Sequence, residues 1–330
     1  MRAQGLIALL TFTLLAPSPA FADAIKIGVV RVIGSGPVFL AKEKGYFDAE
    51  GLSAEIVFFD SSQNVAVATV AGDIDFDLAG LVAAAYTMAG QGALKMIAGG
   101  TREMPGYQGN SYLASNRAYA AGLRTLKDLP GHSFAVATMG SPGHYNIAQL
   151  FEKYHYDMKS LRLVAMQGLP NALSALVGGN VDAANLPSNL GLPAVERGEA
   201  KLLGSVAEET PWQLAAVFVA TRTADERRDT VERFLRAYRK GARGFHDAYT
   251  GPDDKPRNGE TAPDVTAIVS KYTGQPVSSF RPAYMDADAR LDVQDVLHQI
   301  AWYKSQGMVK PDTDGDRIID RRYVVALPGK

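Results

Sequence analysis

The chain of 330 residues has no cysteine. No disulfide can brace it and no thiolate can act as nucleophile or metal ligand, so its stability has to come from a hydrophobic core, which a chain of this length can build. An excess of one charge is also missing. The 34 basic residues face 35 acidic ones, a formal net charge of −1. That balance excludes the basic footprint that nucleic acid requires, and no nucleic-acid partner is expected. Histidine is scarce as well. The five histidines, at 132, 144, 155, 246 and 298, lack close metal-ligand spacing. The signatures GxSxG, HExxH and GxxxxGK do not occur. The string Asp312-Thr313-Asp314-Gly315-Asp316 lacks the closing Glu of a calcium loop and reads as a surface turn. No catalytic residue, metal or cofactor is expected.

Long apolar runs are absent after the first few residues. The one run, Gly5–Ala16, follows Met1-Arg2 and precedes Ala20-Phe21-Ala22. A short positive start, an apolar stretch and a small-x-small site read as a secretory signal over residues 1–22. The run is too short to span a membrane, which takes about 20 apolar residues. Without Arg2, 33 basic residues face 35 acidic ones and the net charge is −2. With no cysteine after the signal, a diacyl anchor is excluded, and the mature chain is expected free in a periplasm.

What the sequence does contain is one pattern written twice. Residues 25–80 run IKIGVV, GSGPVFLAKEKGYF, AEIVFFD, SSQNVAVATVA and DIDFDLAG, in the order strand, Gly-Ser loop, helix, strand, loop, helix, strand. Residues 133–187 repeat that order as SFAVAT, GSPGHYNIAQLFEKYHY, LRLVAMQ, GLPNALSALVG and NVDAANLP. Gly72-Asp73-Ile74-Asp75 matches Gly179-Asn180-Val181-Asp182, and the shared positions of Asp75 and Asp182 argue for a repeated structural role. Two βαβαβ units predict two parallel sheets. Ligands of such sheets gather outside the carboxyl ends of the strands, so two lobes facing each other predict a cleft.

Each unit continues with a helix, a strand, a Pro-containing loop and a further strand. Those last strands, Ser111–Ser115 and Leu214–Thr221, are the expected crossings between lobes. The expected division is residues 23–110 with 216–330 as the first lobe and 111–215 as the second. From Ala224 onward the spacing of Val231, Phe234, Leu235 and Tyr238, and of Val293, Val296, Ile300 and Tyr303, is helical. These C-terminal helices are expected to pack on the first lobe.

The runs PVFLAKEKGYFDAEGL, VAGDIDFDLAG, LKDLPGHSFAVATMGSPGHYN and LPNALSALVGGNVDAANLP resemble the substrate-binding proteins of nitrate/sulfonate/taurine-type ABC importers. That family is similar in turn to the yeast-type thiamine pyrimidine synthases. The resemblance implies a monomeric two-lobed α/β binding protein (type II) that closes on a small molecule and docks on a membrane permease. In KGYF, Gly45 is expected to end a helix while Tyr46 and Phe47 pack inward. The absent cysteine cluster and the export signal count against the enzyme. A periplasmic sensing partner for a receptor is a third reading.

The expected contacts lie in the loops after matching strands: Arg31, Ser35 and Gly36, then Ser61, Ser62 and Gln63, then Gly80 in the first unit. In the second they are Thr138, Gly140, Ser141 and His144, then Gln167, then Asn185. Helix starts offer free N–H groups to an anion, and Arg31 could be a counter-charge. Ser35 and Ser141 could equally cap their own helices. Tyr107 and Trp212 flank the crossings and could lid the cleft or simply pack. These choices point to a small organic acid, a sulfonate or a carboxylate; the alternative is a neutral heterocycle such as a pyrimidine precursor of thiamine. Mass spectrometry of the exported product should give an N-terminus at Asp23. A membrane-held chain with its first 22 residues intact would overturn the signal reading.

Overall fold

The computed structural model describes residues 22–328. The signal segment therefore lies outside the described residues apart from Ala22.

Among the described residues twelve strands follow one another: β1 (Asp23–Val30), β2 (Leu52–Phe59), β3 (Phe76–Gly80), β4 (Leu94–Gly99), β5 (Arg102–Glu103), β6 (Asn110–Ser115), β7 (Ser133–Val136), β8 (Arg162–Ala165), β9 (Ala183–Pro187), β10 (Ala200–Ser205), β11 (Trp212–Gln213) and β12 (Ala215–Ala220). The first sheet has the order β2-β1-β3-β12-β4 and the second β10-β6-β9-β7-β8. Read from the other edge, the second repeats the first. In both, three parallel strands from one unit are followed by a strand that runs antiparallel to them. The sheets are thus mixed rather than wholly parallel, because β6 and β12 each arrive from the opposite half of the chain. Their central strands, β3 and β9, are buried and mostly apolar, as expected where helices cover both faces.

The repeat extends to side chains. Asp75 precedes β3, and its carboxylate accepts the Lys26 backbone N–H of β1 at 2.8 Å. Asp182 precedes β9, and its carboxylate accepts the Ser133 backbone N–H of β7 at 2.9 Å. Arg227 and Arg117 complete the two clamps. Burial alone would raise the Asp182 carboxyl; the hydrogen bonds from Ser133 and the Arg117 charge outweigh it and hold the group below its usual range. Gly72 and Gly179, with φ of 85° and 71°, supply the left-handed turn ahead of each Asp. In KGYF, left-handed Gly45 (φ 69°) separates the helix Gly36–Glu43 from Tyr46–Ala49, and Phe47 is fully buried.

The helix Arg228–Tyr249 packs on the first lobe. Phe234 stacks on Phe76 with ring centroids 3.8 Å apart, and Phe245 and Val269 join the same core. The later helix Val293–Ser305 departs from the sequence-based expectation. Its Tyr303 meets Tyr86 beside the first sheet and also Tyr145 beside the second, so it braces both lobes. Helical spacing gives an apolar face but not its partner, and here that face is shared.

Gly241 lets the helix Arg228–Tyr249 lie directly on Gly36–Glu43: an added Cβ would sit 2.2 Å from the Pro37 carbonyl oxygen. Gly241→Ala should therefore cost about 1–3 kcal/mol through overpacking. Urea unfolding checks this, with a lower midpoint expected at unchanged slope.

Candidate functional site

The strand ends of both sheets converge on one cavity of ≈ 90 Å³. Ser35, Ser61, Ser62 and Gly80 line it from the first lobe, and Thr138, Ser141 and Asn185 from the second. The lobes touch across its mouth. Ala83 N–H donates to the Gly140 carbonyl at 2.9 Å, Leu169 N–H to Asp60 at 3.3 Å, and the Asn189 amide to the Arg31 carbonyl at 3.3 Å. This is a closed arrangement, and a drug-sized ligand, which needs several hundred Å³, requires the lobes to part.

Among the lining residues of the first lobe the hydroxyls are partly committed. Ser35 donates to the Val30 carbonyl at 2.7 Å, Ser61 caps the helix Ser62–Ala71 by accepting Asn64 N–H, and Ser62 accepts Gly80 N–H at 3.0 Å. The second lobe differs. Ser141 occupies the N-cap position of Pro142–Lys153 without making a side-chain cap bond, and its buried Oγ has no partner within the chain. Asn185 Nδ2 is also buried without a partner, and it lies beside Gly143, whose added Cβ would be 3.7 Å from Asn185. Pro142 has no N–H and the His144 N–H turns back to the Ser141 carbonyl. Gly143, in this first turn, lines the cavity with Ser141 and Asn185.

Several residues that the sequence did not single out complete the lining. Thr101 and Asn110 come from the hinge, and Asn189 from the helix Ser188–Glu196. Thr101 Oγ1 and Asn189 Oδ1 are buried with no partner in the chain. Asn110 donates its amide to Glu103, a carboxyl that burial raises to about 8 while this hydrogen bond lowers it. A rule that looks only at loops after parallel strands misses Thr101 and Asn110, because they sit where the chain passes between the lobes. Val30, Ile33, Leu78, Leu169 and Leu214 supply apolar walls. No Asp, Glu, Lys, Arg or His lines the cavity among the described residues.

Eight of the sequence-based site residues do not line this cavity. The Arg31 guanidinium stacks over Phe58, 3.7 Å from its ring centroid, and donates to the Tyr272 carbonyl; cation–π attraction and a carbonyl draw it to the outer surface. Gly36 packs on Phe245. Gln63 is half-buried beside the cavity, and Gln167 (φ 64°) is exposed. Gly140 forms the lobe contact described above and gives its N–H to His144 Nδ1 at 3.0 Å. His144 is thus a brace for the loop. Tyr107 is buried in the hinge and donates to Thr250 Oγ1 at 2.8 Å. Trp212 packs on Tyr145 at 4.8 Å. Both aromatics pack rather than lid the cleft. Asp314 caps the short helix Gly315–Ile318, consistent with a surface turn.

Burial pulls the His144 imidazole down to about 4 from 6.5. Between those values the unfolded chain binds the extra proton, so stability falls as pH falls through that window. The loss should reach roughly 2–3 kcal/mol and be absent from His144→Gln, as denaturant melts at pH 7.5 and pH 4.5 would show.

Four likenesses bear on this site. Residues 33–254 match the family described as NMT1/THI5 like. A protein of Bacillus subtilis (strain 168) named for aliphatic sulfonate binding is 27% identical over 224 residues, which is 66% of this chain and 63%, less than two thirds, of that relative's length. Among solved structures, the ligand-binding component of an ABC-type import system from Staphylococcus aureus superposes with a TM-score of 0.73 at 14% identity, covering 91% of this chain and 97% of that one. The alkanesulfonate-binding protein SsuA from Xanthomonas axonopodis pv. citri, bound to MOPS, gives 0.71 at 18% identity, covering 92% and 99%. Identities this low speak to fold, and the fold is that of two-lobed periplasmic binding proteins. With two thirds of its residues inside one family match, and with the strand exchange and interlobe cleft in place, the chain belongs to the NMT1/THI5-like family.

Proposed function

We propose that the protein is the solute-binding component of an ABC importer, working outside the cytoplasm and delivering its ligand to a membrane permease. The division into lobes is residues 23–110 with 216–330, and residues 111–215. The ligand is a small organic acid, a sulfonate or carboxylate with an apolar body, bound without chemical change. The observation that carries this reading is that four buried polar atoms with no partner in the chain, Thr101 Oγ1, Ser141 Oγ, Asn185 Nδ2 and Asn189 Oδ1, line one interlobe cavity. Leaving such atoms unpaired costs about 1–3 kcal/mol each, which a ligand touching both lobes recovers only in the closed state. The names of the sulfonate-binding relatives support the acid. Its head would lie at the Gly143 N–H, Ser141 and Asn185, where a helix start favours negative charge.

A neutral heterocycle is the second reading, favoured by the uncharged lining. A thermal-shift screen of alkanesulfonates, aromatic and aliphatic carboxylates and pyrimidines separates the two. If an acid binds, Ser141→Ala removes a hydrogen bond to a charged group, costing about 1.5–3 kcal/mol, or roughly tenfold to hundredfold in Kd by calorimetry. The empty protein should melt almost unchanged, because Ser141 makes no cap bond. Tighter binding of a pyrimidine than of any acid would overturn the acid.

A further inference from the structure

A second cavity, of ≈ 400 Å³, lies behind the hinge. One helix joins it to the cleft. Pro142 and Gly143 of Pro142–Lys153 line the cleft, while Asn146, Gln149 and Glu152 line the second cavity. At 1.5 Å per residue the two contacts are roughly 5–15 Å apart on one stiff axis. Opposite stand Asp295 and His298 of the helix Val293–Ser305, and Trp212 of β11 lies between the two walls.

Two buried side chains here lack partners within the chain. Asn146 is 0% exposed and neither of its amide atoms is bonded; Trp212 is 3% exposed and its indole N–H is unpaired. The charges around them are mostly acidic. Glu152, Glu209 and Asp295 line the cavity, and Lys153, its one ammonium, is already bound to Glu209 at 2.7 Å. Burial raises the Asp295 carboxyl, although hydrogen bonds from Gln213 and Gln299 oppose it. The rings of Tyr145 and Trp212 add faces that attract cations.

We infer that this cavity is a second ligand site, for a small primary ammonium carrying a hydroxyl or carbonyl oxygen, and that its occupation holds the cleft shut. The ammonium donates to Glu152, Asp295 and Asn146 Oδ1. The oxygen accepts the Trp212 indole N–H and Asn146 Nδ2–H. The helix Pro142–Lys153 carries wall residues of both cavities, so a molecule bridging Glu152 and Asp295 ties that helix to Val293–Ser305 and resists a rotation that parts the lobes at Gly143. A molecule wedged there opposes opening, and by reciprocity tightens binding in the cleft.

Ethanolamine is the probe. The chain has two tryptophans, so ¹⁵N–¹H spectra show two indole signals, and Trp302→Phe assigns that of Trp212. At fixed ionic strength and with no cleft ligand, ethanolamine should shift the Trp212 signal saturably and make the particle more compact in small-angle scattering. Ethylene glycol should do neither. Asn146→Leu, and Glu152→Gln at an exposed position, should each weaken the shift at least tenfold. A linear shift, one matched by ethylene glycol, or one unchanged in both variants overturns the site. A saturable shift without compaction overturns its coupling to closure. The titration needs no cleft ligand, so its outcome is independent of the acid assigned to the cleft.

Discussion

Each sheet takes its fourth strand from the half of the chain that builds the other sheet, and the rest of the molecule depends on that exchange. β6 leaves the first unit to lie beside β9, and β12 leaves the second to lie between β3 and β4. The chain therefore passes between the lobes twice, and the passages are joined by the small β5–β11 pairing, Trp212 against Glu103 and Gln213 against Arg102. Two connectors tied in this way would place the pivot of a relative rotation near this ribbon. The same connectors carry Thr101 and Asn110 into the cavity, so they also form part of its wall.

The electrostatics of the cleft are set by exclusion. Charged side chains are numerous, but they are used elsewhere: in the Asp75–Arg227 and Asp182–Arg117 clamps, in Arg102–Asp292 beside the hinge, and in Arg31 on Phe58. The cavity keeps hydroxyls, amides and apolar walls. A cavity lined in this way offers hydrogen-bonding groups and close apolar walls rather than a fixed charge.

The C-terminal helices divide the work of supporting this arrangement. Arg228–Tyr249 extends the core of the first lobe through Phe234, Tyr238 and Phe245. Val293–Ser305 instead reaches the hinge: Asp295 accepts the Gln213 backbone N–H at 2.8 Å, and Gln299 bonds both the Gln213 carbonyl and the Tyr86 hydroxyl.

The sequence by itself determined the repeated unit, because strand and helix periods, turn glycines and the two Asp positions are local patterns that recur at matching places. It determined Ser35, Ser61, Ser62, Gly80, Thr138, Ser141 and Asn185 as neighbours of strand ends, since loop positions follow from the order of elements. Only the tertiary structure decided which of these hydroxyls are free. Ser61 and Ser141 are both helix-start serines, yet one caps its helix and the other does not, a matter of side-chain rotamer and neighbours. Arg31, Tyr107 and Trp212 were ambiguous for the same reason. A long side chain a few residues from a cleft can point either way, and Phe58, Thr250 and Tyr145, distant in sequence, decided where each one went.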